Sequence, residues 1–257
     1  MGEPDDFAGG ASKEVVRVAA TSDLHCGRGP RGRLRPVFAE IAERADILVL
    51  CGDLTHFGSE EGIDVFLHEV APALGKVPVL SVLGNHDFES GKRDEFWSKL
   101  CDAGIIMLDG NDLEIRGIGF TGVKGFGGGF GDFAVQPLGE LSVKNFVKET
   151  VDEADKLDAG LARLGPGPRI ALLHYSPIRD TIAGEPPELF PFLGSSRLEE
   201  PLDRHAVTAA FHGHAHGGHY RGKTRGDAPV YNVSAAVLKR CFPDRPPYLM
   251  LEVPVMG

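Results

Sequence analysis

"VPVLSVLGNHD", residues 77–87, is an apolar run that stops abruptly at Gly84, Asn85, His86 and Asp87. The apolar side chains do not alternate with polar ones. That pattern marks a strand covered on both faces, as in a parallel sheet between helices. "DILVLCGD" (46–53) has the same form and ends in Gly52–Asp53. "VVRVAAT" (15–21) reads as a strand leading into Asp23–Leu24–His25. The stretches between them, "LRPVFAEIAERA" (34–45), "EEGIDVFLHEVAPAL" (60–74) and "RDEFWSKLCDA" (93–103), carry helical spacing. Strand–helix alternation predicts parallel strands joined by crossovers, an α/β chain.

The pattern changes after residue 104. "GIIMLDGNDLEIRGIGFTGVKGF" (104–126) has short strands with turn residues between them, so an antiparallel section or a second sheet is expected. "GFGGGFGDF" (125–133) is a glycine-rich loop, and a long helix is expected from about Ser142 to Leu164. Further strands are expected within "PRIALLH" (168–174), "RHAVTAAFHG" (204–213), "APVYNVS" (228–234) and "YLMLEV" (248–253). There is no internal repeat or clear linker. The reading is a disordered tail over 1–13 and one domain over 14–257, with residues 175–205 inserted over the strand ends as a cap or an oligomer contact.

The net charge of -10 argues against a general nucleic-acid-binding surface. No apolar run reaches membrane-spanning length. The acidic N-terminus lacks a signal-peptide pattern, so a cytoplasmic location is expected. Cys26, Cys51, Cys101 and Cys241 are widely spaced, which argues against a disulfide framework or a thiolate metal site.

Five apolar strands therefore end in metal-ligand residue types. They supply Asp23 and His25, Asp53, Asn85, His174, and the pair His214 and His216 within "AAFHGHAHGGHY" (209–220). Strand ends of an open parallel sheet converge on one crevice. These nitrogen and oxygen donors suit two transition-metal ions ~3.5–4 Å apart, of manganese, iron, zinc, cobalt or nickel. Asp53 is the natural bridge between two ions that repel. Two dications and two aspartates leave a charge of about +2, which attracts a phosphate.

These blocks resemble the calcineurin-like metallophosphoesterases. The resemblance rests on Asp23–Leu24–His25, Gly52–Asp53, Gly84–Asn85–His86–Asp87, His174 and Gly213–His214–Ala215–His216, in that order. It implies two mixed β-sheets packed as a sandwich and flanked by helices. It implies one metal on Asp23, His25 and His216, a second on Asn85, His174 and His214, and Asp53 between them. It implies His86 beside the substrate as a catalytic group, oriented by Asp87. The implied activity is phosphoester hydrolysis by in-line attack of a metal-bound hydroxide.

A phosphodiesterase is the leading expectation, with a phosphomonoesterase second. A metal-dependent nuclease lacks a basic, aromatic-interleaved surface. A catalytically silent scaffold disagrees with the complete ligand set. The expected partner is a small phosphate ester, nucleotide-like substrates included. Arg28 and Arg31 follow the first block and are candidates to reach a phosphate. Phe126 and Phe130 are candidates to offer stacking faces. Cys26 is read as a neighbour of the site, His212 as a buried strand residue, and His56, His68 and His219 as surface or rim.

Overall fold

The structure is a computed structural model that describes residues 13–27 and 29–256. Arg28 and nearly all of the expected tail, residues 1–12, lie outside the described residues.

One sheet holds β1 (Lys13–Thr21), β2 (Ile47–Cys51), β3 (Val79–Val82) and β4 (Ile106–Met107) in parallel, with β11 (Leu249–Met256) antiparallel on β1. Its crossovers are α1 (Arg35–Arg44), α2 (Glu60–Val70) and α3 (Arg93–Asp102). The second sheet runs β5 (Asp112–Ile115), β6 (Ile118–Val123), β7 (Arg169–Leu173), β8 (Ala209–His212), β10 (Pro229–Asn232), β9 (Arg221–Lys223). Its four central strands are parallel, and β5 and β9 are antiparallel edges. The crossover α4 (Leu141–Arg163) joins β6 to β7.

Strand alternation sorts the core into layers. Ile47, Val49 and Cys51 point between the sheets, where they meet Phe120, Ile170, Leu172 and Phe211. Leu48 and Leu50 point outward to Phe38, Ile41, Phe66 and Phe96 of the helices. Ala171 and Leu173 of the other sheet face Leu157 and Leu161 of α4. Each of the buried Val, Leu, Ile and Phe side chains among these contributes about 1.5–3 kcal/mol.

Local chemistry agrees with these boundaries. The Ser59 hydroxyl accepts from the Gly62 amide at the start of α2, and Glu60 and Glu61 follow in its first turn. Arg116 and Gly117 both take positive φ and close the β5–β6 hairpin in two residues.

The expected strand at 204–213 begins only at Ala209, because Glu199–Arg204 forms a helix, α6. The expected antiparallel section at 104–126 is divided. β4 completes the first sheet, and the β5–β6 hairpin opens the second. β9 and the helix α7 (Ala235–Cys241) were not anticipated. Residues 175–205 contain 3-10 turns at Asp180–Ile182 and Pro187–Leu189, a short helix α5 (Phe190–Leu193), and α6. Bridges Gly129–Ser195 and Ser176–Gly194 tie this segment to the glycine-rich loop and to the end of β7.

Candidate metal centre

The ends of β1, β2, β3, β7 and β8 meet at one place. Pairing between β1 and β2 continues past the strands: the amides of Asp23, His25 and Cys26 donate to the carbonyls of Gly52, Asp53 and Leu54 at 3.0–3.1 Å. Among the described residues, seven non-glycine residues have positive φ, and four of them are Asp23, His25, Asp53 and His214. Such backbone is unfavourable for side-chain-bearing residues and persists where its surroundings enforce it. Here it turns successive ligands inward. Gly52 makes room: at φ 84°, a Cβ there would lie 2.6 Å from the Gly84 amide nitrogen and 2.7 Å from His174 Nδ1.

The seven expected donors come together. Oxygen and nitrogen atoms of Asp23, His25 and His216 lie within 4.8 Å of one another, as do those of Asp53, His174 and His214. Asn85 Oδ1 is 2.9 Å from His174 Nε2. His216 Nε2 is 2.9 Å from Asp23 Oδ1, and His25 Nε2 is 3.5 Å from His216 Nε2. The His214 amide is 3.0 Å from Asp23 Oδ2, and its Nε2 donates to the Phe192 carbonyl at 3.1 Å. That leaves Nδ1 as the His214 ring nitrogen available to an ion. Asp53 faces both ways. Its Oδ1 is 3.5 Å from His174 Nε2, and its Oδ2 is 3.9 Å from His25 Nε2.

This arrangement fits bound cations. The fully buried His174 donates from Nδ1 to the Cys51 carbonyl at 2.9 Å. Burial and the neighbouring His214 hold its pKa well below the usual histidine value, so the ring is neutral and Nε2 carries a lone pair. That lone pair faces two oxygens, Asn85 Oδ1 and Asp53 Oδ1. Three acceptors converging in a buried place are unfavourable unless a proton or a positive ion lies among them, and a cation satisfies all three at once. Asp53 Oδ2 is likewise buried and accepts no hydrogen bond. Burial raises the Asp53 pKa, and the nearby Asp23 and Asp87 charges raise it further. Burial pushes Asp23 the same way, but the His216 hydrogen bond and the His174 and His216 charges outweigh it and hold Asp23 low. Burial depresses His25 to about 4, which keeps its ring in the neutral, ligating form.

His86 stands beside this cluster, with Nε2 3.9 Å from Asp53 Oδ2. The expectation that Asp87 orients it does not hold. The fully buried Asp87 carboxylate instead accepts from the amides of Leu54, Thr55 and Gly84 and from the Thr55 hydroxyl, at 2.9–3.3 Å. It staples the loop after β2 to the loop after β3. The His86 ring is held by the His56 carbonyl and by Glu89 Oε1, each 2.8 Å from Nδ1. Both are acceptors, so Nδ1 carries the proton and Nε2 faces the site. Sequence reasoning missed Glu89 and left His56 on the rim. The His56 ring stacks on His86 with centroids 5.5 Å apart and groups with His25 and His86. A signal existed in the H-x-x-E spacing, since residues three apart eclipse in a 3-10 turn.

The remaining candidates divide. Arg28 lies outside the described residues, and Arg31 is exposed. Phe126 is half-buried against Phe146 and Tyr175, and the Tyr175 ring is 4.4 Å from that of His214. Phe130 does not offer a stacking face: it is 9% exposed and packs with Ile182, Leu193 and Ala215. His212 is a buried strand residue whose Nε2 is 2.7 Å from the Thr181 hydroxyl. Burial drives the Cys26 thiol up to about 12, far from a thiolate at neutral pH.

Two mixed sheets joined face to face, with Asp, Asn and His at five strand ends, define the metallophosphoesterase fold. The chain belongs to the calcineurin-like phosphoesterase family, whose sequence profile matches residues 16–218. It is similar to phosphopantetheinyl hydrolase of Mycobacterium tuberculosis, at TM-score 0.64 and 15% identity over 91% of this chain and 95% of that one. It is also similar to purple acid phosphatase PPD1 of yellow lupin (Lupinus luteus) seeds, at TM-score 0.55 and 13% identity over 88% of this chain and 45% of that one. At these identities the likeness is one of fold. An uncharacterised Methanocaldococcus jannaschii protein, MJ1162, is 33% identical over 112 residues, which is 44% of each chain.

Proposed function

We propose that this protein is a hydrolase of small phosphate esters that depends on two transition-metal ions, and that it prefers diesters. The observation that carries the reading is Asp53, whose two buried oxygens face two adjoining ligand groups. Asp23, His25 and His216 would hold one ion. Asn85, His174 and His214 would hold the other. Two such ions, when bound, neutralise phosphoryl oxygens and lower the pKa of water so that it can attack phosphorus.

The chain's own residues do the rest. Asp53 fixes the spacing of the two groups, and Asn85 contributes an oxygen without adding negative charge. His86 presents Nε2 to the open side of Asp53. When both ring nitrogens carry protons, the imidazolium there offsets charge on the leaving oxygen or hands it the Nε2 proton. The His56 carbonyl and Glu89 keep the Nδ1 proton in place and so fix which nitrogen faces the substrate. A poor alkoxide leaving group gains most from such a residue, which supports the diester preference. The Phe192 carbonyl brings the 175–205 segment against His214, which supports its role as a border of the substrate site.

The test is hydrolysis of an aryl phosphodiester and an aryl phosphomonoester side by side by manganese-loaded protein. Faster diester cleavage is expected. A faster monoester reaction makes the protein a phosphatase, and no metal-dependent turnover of either ester overturns the hydrolase reading.

A further inference from the structure

A cavity of about 360 Å³ opens directly beside Asp23 and His25. Leu24, Leu34, Ala235 and Pro247 give it apolar walls, and Arg33 and Lys239 supply its two cations. Both cations are exposed. Some other cations are tied down: Arg93 and Lys156 both reach Asp109, and Arg204 reaches Asp158. Among the described residues, neither Arg33 nor Lys239 makes an ion pair or a side-chain hydrogen bond. Asp23 also lines the cavity, but its oxygens are engaged by the His214 amide and by His216 Nε2, so on a chain of net charge -10 Arg33 and Lys239 are the charges there left to meet an anion.

We propose that this cavity is a second anion subsite, and that the substrate is a phosphate ester carrying a further phosphate or carboxylate on a short aliphatic spacer. The inference rests on the reading of the centre as a phosphoester hydrolase. The scissile phosphoryl group lies at the ligand cluster, the spacer lies along Leu24, Leu34 and Pro247, and the distal anion meets Arg33 and Lys239. Filling the cavity displaces water from around those charges and strengthens the attraction. A guanidinium and an ammonium together suit phosphate or carboxylate.

The test uses the manganese-loaded full chain and calorimetry with three non-hydrolysable probes. Methylphosphonate carries one anionic group. 1,3-Propanediylbisphosphonate and 4-phosphonobutanoate add a distal phosphonate or carboxylate. At least one two-ended probe is expected to bind about tenfold or more tightly than methylphosphonate, as two charge-assisted contacts warrant. The one that gains more identifies the distal group. Arg33→Ala and Lys239→Ala should each erase most of that ratio, and Arg33→Lys should keep most of it. Lys144→Ala, an exposed cation on α4 away from the cavity, should leave it unchanged. Equal binding of all three probes, or a ratio that survives in the Arg33→Ala/Lys239→Ala double variant, overturns the subsite. Aryl-ester turnover is measured on the same samples. Turnover without discrimination sinks the subsite alone, whereas discrimination without turnover supports the subsite and sinks the hydrolase reading.

Discussion

The two ligand groups share Asp53 but differ in their surroundings. His174 is fully buried, and the Phe192 carbonyl closes on His214 from the 175–205 segment. The group of Asp23, His25 and His216 borders the Arg33–Lys239 cavity, and the His216 side chain is 45% exposed. Donor chemistry is thus nearly duplicated while access is not. One group is enclosed, and the other opens toward solvent through His216.

The largest effect should come from breaking the shared point. Asp53→Asn is expected to lower turnover by more than about a hundredfold and to deplete both ions, read by steady-state rates and elemental analysis. The same variant should carry a stability signature in metal-free protein. The folded-state pKa of Asp53 is raised, so above about pH 4 the folded state holds a proton that the unfolded chain has released. Wild-type stability then falls as pH rises, and the variant lacks that slope. Its advantage in urea midpoint over wild type should widen between pH 5 and pH 8.

His174→Ala and His216→Ala probe the contrast itself. The enclosed substitution should cost about a hundredfold in affinity for one ion, and the exposed one about tenfold, as measured by chelator competition. Equal losses would show that enclosure does not govern retention. A smaller effect is expected for Asp87→Asn. An amide cannot accept all four hydrogen bonds that the carboxylate receives, so stability should fall by about 2 kcal/mol in urea unfolding. The smallest belongs to Glu89→Gln. It should reduce kcat by under about tenfold with KM and metal content unchanged, because His86 keeps the His56 carbonyl as its anchor.

Most of the fold was legible because the buried strands are short apolar runs that end sharply. "ILVLC" and "VLSV" have no polar face, so their burial on both sides follows from composition. The convergence of the seven candidate donors was legible for the same reason, since each follows closely on such a run. What escaped depends on tertiary context. Glu89 and His56 lie just beyond their motifs, and only the folded loops bring them to the His86 ring. Asp87 sits inside its motif, yet its carboxylate turns back to backbone amides rather than to the histidine beside it. Phe130 lies among glycines, as an exposed aromatic would, but packs beneath the 175–205 segment. α6 lies in the segment read only as an insertion, where Pro201 hides its helical spacing, and β9 is three residues long, Arg221–Lys223.

The Asp87 staple has one more consequence. It fixes the loops carrying Asp53 and Asn85 to each other through protein contacts alone. His174 is fixed through Cys51 and His214 through Asp23 and Phe192. The ligands are therefore aimed before any ion arrives, and binding freezes few additional torsions. Toward the two proposed ions the protein would act as a rigid chelator rather than a chain that folds around its metal. Choice among ions then falls to how well each accepts a geometry already set, and to which of them the surroundings supply.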